Sequence, residues 1–254
     1  MAGPPTMTNA LNGFLEALQA ADGLDMKWGR LTEFMGGYGA DVINYAVLNV
    51  LEVSREEASV TQFSNMSSEW IDYYLDQRMD LSDPHVRYVR RGGMAPYRWN
   101  EQRTIALTSD DERKVLLLAK EAGLRSQISM VAPDPLGLAD PIGGMTIGSS
   151  LKGGEYFRAV TRKEDMLVAA AMLFHNHAIG EIGRQQVGAR PLTDRERDCI
   201  AYVASGLRTA RIAERLGVSE VTVEMHLQNV RKKLRARTTP QAVARAMIFG
   251  DISL

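Results

Sequence analysis

The sequence predicts an α+β protein: an N-terminal α/β/α sandwich with an antiparallel sheet, followed by an all-α, four-helix helix-turn-helix domain. Three observations predict it. Strand-like runs rich in Val, Ile and Tyr are interleaved with amphipathic helices through the front of the 254-residue chain. Beyond Leu192 only helical patterns remain, each opened by a cap or turn residue. Charge divides at the same place, with 12 Lys and Arg against 7 Asp and Glu in residues 187–254, and 18 against 24 in residues 1–186. A near-neutral whole thus joins a basic tail to an acidic front, the balance of a nucleic-acid binder carrying a module with another task. The expected division is an α/β domain over 1–180, a linker over 181–191 and the helical domain over 192–254.

In chain order, the first few residues are expected to fray. Asn9–Ala21 places Leu11, Phe14, Leu15 and Leu18 at helical spacing, and Asp25–Met35 is a second helix before the turn-rich Gly36–Gly39. Asp41–Val53 and Ala58–Phe63 are adjacent strands. Ser67 or Ser68 caps a helix through Trp70, Tyr73 and Tyr74 to Arg78. Asp83-Pro84 opens another, with proline in its first turn, and Gly92-Gly93 ends it. Residues 96–100 read as a loop holding Trp99, and Ser109–Ala122 as a helix closed by Gly123. Gln127–Ala132 and Gly144–Ile147 form a hairpin across the Pro- and Gly-rich residues 133–143. An apolar helix from Gly154 to about Ile179 completes the domain. Glu181–Pro191, with two glycines and a proline, is the linker.

In the tail, Thr193 with Glu196 makes a capping box for a helix that stops at Gly206. Thr209 caps a short helix to Leu216, Gly217 supplies a tight turn, and Ser219 caps a third helix, Glu220–Arg235. Its apolar residues Val221, Val223, Leu227, Val230 and Leu234 form a buried stripe. The other face carries Glu224, Gln228 and Asn229, then Arg231, Lys232, Lys233, Arg235 and Arg237. Polar readers followed by cations suit a helix lying in the major groove; the same cations also answer the negative end of a helix dipole. Thr239 as N-cap and Pro240 at the first helical position open a last helix to about Phe249.

The residues exclude several function classes. The single cysteine, Cys199, faces the buried side of its helix and forms no intrachain disulfide, which fits a reducing cytoplasm. No leader pattern and no membrane-length apolar run are present, so a cytoplasmic protein without membrane contact is expected. His175 and His177 are two apart on a helix and point to different faces, so no metal site is expected. With no nucleophile motif, no catalytic residue is assigned and the chain reads as a non-enzyme.

The set Leu192–Glu196, Gly206, Ile212-Ala213, Leu216-Gly217, Ser219, Thr222-Val223, His226, Leu234 and Gln241-Ala242 resembles the LuxR-type DNA-binding domain, over Leu192–Met247. The resemblance implies double-stranded DNA as partner, with Thr222, Glu224, Met225, Gln228, Asn229, Arg231 and Lys232 at the interface. Glu224 and Gln228 fall where relatives reach bases. An acid at the first of these can accept from a cytosine amino group, and Gln228 can pair with adenine.

Trp70, Tyr74, Asp83-Pro84 and Trp99 resemble the signature of the autoinducer-binding domain that precedes this type of DNA reader. The likeness runs over Asp41–Ile179, with one extra residue before Trp99. It implies a small-molecule autoinducer, an N-acyl-homoserine lactone, with no other cofactor. Such a ligand needs one acceptor, two donors and apolar walls. Asp83 accepts from its amide N–H, Trp70 donates to the lactone carbonyl, and Tyr74 donates to the amide carbonyl or lines the acyl chain. Trp99 walls the ring, and Thr146 donates to the amide carbonyl or an acyl oxygen. By default Asp83 is also a helix cap, and the aromatics are also core residues.

Two positions depart from the family pattern. Met66 replaces a tyrosine, and Gln127 stands where a glycine is usual, there to shorten the pocket, recognise a polar ligand or pack elsewhere. The expected function is a ligand-responsive transcriptional regulator of quorum sensing that acts as a homodimer on a two-fold-related site. The long helix after Gly154 and the one after Pro240 supply either dimer contacts or internal core. The alternative is a ligand-independent regulator whose front domain only dimerises or binds a partner.

Overall fold

The computed structural model describes residues 7–48, 60–91, 93, 96–99, 109–133, 142–151 and 153–253. The chain divides into two units, Met1–His177 and Ala178–Leu254.

The first unit opens with α1 (Met7–Gln19) and α2 (Leu24–Gly36), then β1 (Val42–Leu48) and β2 (Val60–Ser64). The outer parts of the two expected strands, residues 49–53 and 58–59, lie outside the described residues. Next come α3 (Ser68–Asp76), α4 (Pro84–Arg90), β3 (Tyr97–Trp99), α5 (Asp110–Glu121), β4 (Ser126–Ala132) and β5 (Gly143–Ser149). Then follow α6 (Gly153–Ala159) and α7 (Glu164–Gln186). The five strands form one sheet in the order β2-β1-β5-β4-β3, antiparallel at every pairing.

Alternation along the strands separates two faces. On one, Ile43, Tyr45 and Val47 of β1 and Ile128 and Met130 of β4 are buried. The Tyr45 ring meets Phe174 of α7 edge-on at 5.3 Å, and Phe174 meets Trp28 of α2 at 5.8 Å. The Tyr45 hydroxyl reaches His175 Nδ1 at 2.8 Å, while His175 Nε2 faces the Pro133 carbonyl at 3.0 Å. A neutral ring that donates from Nε2 therefore accepts the tyrosine proton. The opposite sheet face is set against α3, α4 and α5 across a cavity.

Three expectations change here. Residues 97–99 are an edge strand rather than a loop, pairing Trp99 with Gln127 and Tyr97 with Ser129. Tyr97 and Trp99 suit a strand, and Pro96 is tolerated because it precedes an edge. The final helix does not run unbroken from Gly154, because a short α6 and a tight turn at Thr161–Lys163 come before α7 starts at Glu164. Arg98 on β3 holds that start, its Nε donating to Glu164 Oε2 at 2.7 Å. The helix also continues to Gln186, through residues expected to be irregular.

The second unit comprises the end of α7, then α8 (Asp194–Ala204), α9 (Thr209–Leu216), α10 (Glu220–Lys233) and α11 (Thr239–Ile248). The Thr193–Glu196 capping box forms as expected. Gly217 takes a left-handed φ of 65° between α9 and α10, a conformation that costs other residues about 1 kcal/mol or more. Ser219 Oγ accepts from the Thr222 amide at 3.1 Å and caps α10. The core is Cys199, Ile200, Ile212, Val223, Val230, Leu234, Ala242 and Ala246.

Three local expectations are corrected. Thr209 is the first residue of α9, after Arg208, rather than its cap. Thr238, not Thr239, caps α11, accepting from Gln241 and placing Pro240 second in the helix. Val221 leaves the buried stripe and is 75% exposed, because two residues before Val223 is the wrong helical interval for one face.

Candidate ligand cavity and nucleic-acid interface

Ser67 caps α3 through its hydroxyl and so aims Trp70 and Tyr74, one turn apart, along the helix. No residue of α3 is buried, so this helix covers the sheet without a packed core beneath it. The space below is a cavity of about 620 Å³. Of the expected ligand residues, Met66, Trp70, Tyr74, Asp83, Gln127 and Thr146 all line it. Trp99 pairs with Gln127 in the sheet, but its side chain lies outside the described residues.

Asp83 is both a cap and a cavity residue, so its two readings coincide. Oδ1 accepts the His85 amide at 2.8 Å, and Oδ2 accepts the Tyr74 hydroxyl at 2.8 Å. Burial raises the carboxyl above its usual range, against the opposing pull of these hydrogen bonds. Burial also drives the Tyr74 hydroxyl far above its ordinary acidity range, with the Asp83 charge acting in the same direction. Tyr74 is thereby a fixed donor, and its proton is directed at Asp83. Trp70 lines the cavity, and its indole N–H, which can only donate, has no partner among the described residues.

Sequence reasoning missed His85 and Ser129. His85 is 5% exposed, and burial lowers its pKa to about 3, so the ring is neutral. Its Nε2 lies 2.5 Å from Gln127 Nε2, and its Nδ1 contacts Ser129 Oγ. Ser129 Oγ is 3.2 Å from Thr146 Oγ1. Gln127 therefore turns toward the cavity and engages His85 rather than packing elsewhere. The available signal was the alternation of Gln127 and Ser129 with apolar Ile128 and Met130, which marks a polar face.

In the second unit, α10 presents Val221, Glu224, Met225, Gln228 and Lys232 as exposed side chains, with Thr222, Asn229 and Arg231 partly exposed. Val221, Glu224, Met225, Gln228 and Arg231 line one groove with Thr209 and Thr239. Thr222 is held by the cap, its Oγ1 2.8 Å from Ser219 Oγ. The basic run is less free than its composition suggests. Arg231 donates to Thr239 Oγ1 at 3.0 Å, and Lys233 Nζ lies 2.7 Å from Glu196 Oε2. Burial alone would raise the Glu196 carboxyl, but bonds from Lys233 and Thr193 outweigh it and hold it low. Lys232 is the exposed cation of the three. Val221, which the sequence had assigned to the core, is exposed one helical turn from exposed Met225 and adds an apolar contact to this face.

No helix among the described residues is long and apolar enough to cross a membrane, and no group of three or more His, Cys, Asp or Glu among them forms a metal site.

Comparison with known proteins gives two family matches. Residues 25–178 match the autoinducer binding domain, and residues 190–246 match the bacterial regulatory proteins of the luxR family. The transcriptional activator protein AhyR of Aeromonas hydrophila is 26% identical over 232 residues, covering 87% of this chain and 85% of that protein. Among solved structures, SdiA in complex with octanoyl-rac-glycerol aligns with a TM-score of 0.54 at 17% identity, over 98% of this chain and 97% of that one. The N-acylhomoserine lactone dependent factor CepR2 of Burkholderia cenocepacia aligns with a TM-score of 0.55 at 17% identity, over 69% and 96%.

Proposed function

This chain belongs to the LuxR family of regulators, ligand-responsive DNA-binding proteins with an autoinducer-binding domain ahead of a helix-turn-helix; from that premise we propose that its cavity holds an N-acyl-homoserine lactone or a related acylated molecule. The observation that carries the reading is the cavity of about 620 Å³, where apolar walls meet Trp70, Asp83 and Thr146. Asp83 takes the ligand amide N–H, Trp70 donates to a head-group carbonyl, and Thr146 donates to the amide carbonyl. The acyl chain fills the space under α3. The domain division is read as a ligand module over 1–180, a connection over 181–191 and a DNA reader over 192–254.

Binding completes the packing that α3 lacks, stabilises a homodimer and places two copies of α10 on a two-fold-related DNA site. Glu224, Met225 and Gln228 then meet base edges, while Thr222, Asn229, Arg231 and Lys232 flank them toward the phosphates. The protein acts in the cytoplasm, and its role in quorum sensing is to convert ligand concentration into transcription.

Solvent extraction of the purified protein followed by mass spectrometry, together with thermal melts in N-octanoyl-homoserine lactone, tests this. A bound acylated molecule or a saturable rise in Tm is expected. Neither would leave the front unit as a dimerisation or partner-binding module only. Incubation with lactone should yield no more ring-opened product than buffer alone.

A further inference from the structure

We propose that the cavity selects a ligand whose polar head carries a hydrogen-bond donor beyond the amide N–H, and that Gln127 reads it. The inference rests on the reading of this cavity as the site of an acylated small molecule.

The cavity runs along the sheet. In register, Gln127 lies beside Gly148 and Trp99, the next row is Ser129, Thr146 and Asn44, and the far row is Leu48 beside Val60. Gly148 pairs with Val42, and Val42 to Leu48 spans roughly 20 Å at the rise of a β-strand. Gln127 thus stands at one end with the polar row of Ser129, Thr146 and Asn44 next to it, and the apolar pair Leu48 and Val60 stands at the other. Asp83, bonded through Oδ1 to the His85 amide, belongs to the Gln127 end because His85 touches Gln127. A ligand amide held by Asp83 sets the head against Gln127 and sends the tail toward Leu48 and Val60.

Donors and acceptors do not balance at the head end. An amide nitrogen only donates, so His85 Nε2 accepts from Gln127 and the ring hydrogen sits on Nδ1, donated to Ser129 Oγ. The Ser129 hydroxyl then donates to Thr146, and the Thr146 proton is left for the cavity. Gln127 Oε1 has no partner among the described residues, although the residue is only 6% exposed and lines the cavity. That oxygen is open to the cavity, and an acceptor whose water is displaced when a ligand fills the space calls for a donor. A lactone ring offers two acceptor oxygens and no donor. Exchanging the ring oxygen for N–H, or adding a hydroxyl to the head, supplies what Oε1 lacks.

The test titrates the full-length protein with N-octanoyl-homoserine lactone and with its lactam counterpart, in which N–H replaces the ring oxygen. The lactam is expected to bind about five- to tenfold tighter, the size of one neutral hydrogen bond. Gln127→Met, which keeps volume without polar atoms, should abolish the preference. Gln127→Gly should abolish it too and covers the case in which methionine disturbs packing; circular dichroism melts establish that each variant is folded. Equal or tighter lactone binding by the wild type, or a lactam preference that survives both substitutions, overturns the inference and leaves the acyl-ligand reading standing. If neither probe binds the wild type, that reading falls and this inference with it.

Discussion

Asp83 and His85 stand two residues apart, and burial moves their acidities in opposite directions. For Asp83 the folded state holds its proton more tightly than the unfolded chain, so its contribution falls as pH rises from about 4 toward the raised folded value. For His85 the unfolded chain binds a proton below its ordinary 6.5 while the folded protein does not until about 3, so stability falls on acidification through that window. His175, also depressed by burial, acts in the same sense. Melting the unliganded protein across pH should therefore show Asp83→Asn removing a loss that grows with pH. His85→Gln should remove part of a loss that grows toward acid, at most about 1.4 kcal/mol per pH unit. In the reading head, Glu224→Ala should change the preferred sequence in a binding selection; an unchanged site would remove Glu224 from base readout. Trp70 and Asp83 were legible as cavity residues through their resemblance to a known signature. His85 was not, because a polar residue in the first turn of a short helix reads as solvent-facing until the strand opposite is known.

At the level of elements, caps and periodicity located most helices because those signals are local. β3 escaped because its only pairing among the described residues is with β4, across a long sequence separation, and three residues carry too little alternation to declare themselves. Cap positions slipped by one where Thr238 and Thr239 offered the same side chain twice. The cations of α10 show the same limit: composition gave their number, but only packing separates Lys233, tied to Glu196, from exposed Lys232. Lys232→Ala should lower the slope of log affinity against log salt by about one while leaving stability unchanged. Lys233→Ala should instead lower the melting temperature, since it strands a buried carboxylate, and leave that slope nearly unaltered.

For the whole molecule, the two-part organisation was readable from the change in charge balance and from the loss of strand patterns after the sheet. The cavity's existence was readable only by resemblance, since an aromatic beside a void and one in solid packing have the same sequence. Ligand at about 100 times its Kd should stabilise the protein by about 2.7 kcal/mol, seen as a rise in Tm. Sedimentation with and without ligand should show the dimer favoured by ligand; a mass unchanged by saturating ligand would separate sensing from pairing. DNA affinity should fall steeply with salt.

Cys199 is the chain's only thiol and is fully shielded inside the second unit. A thiol-labelling reagent can therefore modify the protein at one place, and only when that unit breathes open. Pulse alkylation becomes a clock for the reading head alone, with no mutation needed to install it. Adding acyl ligand should slow that clock if the front unit steadies the head, and should leave it running at the same pace if the two act independently.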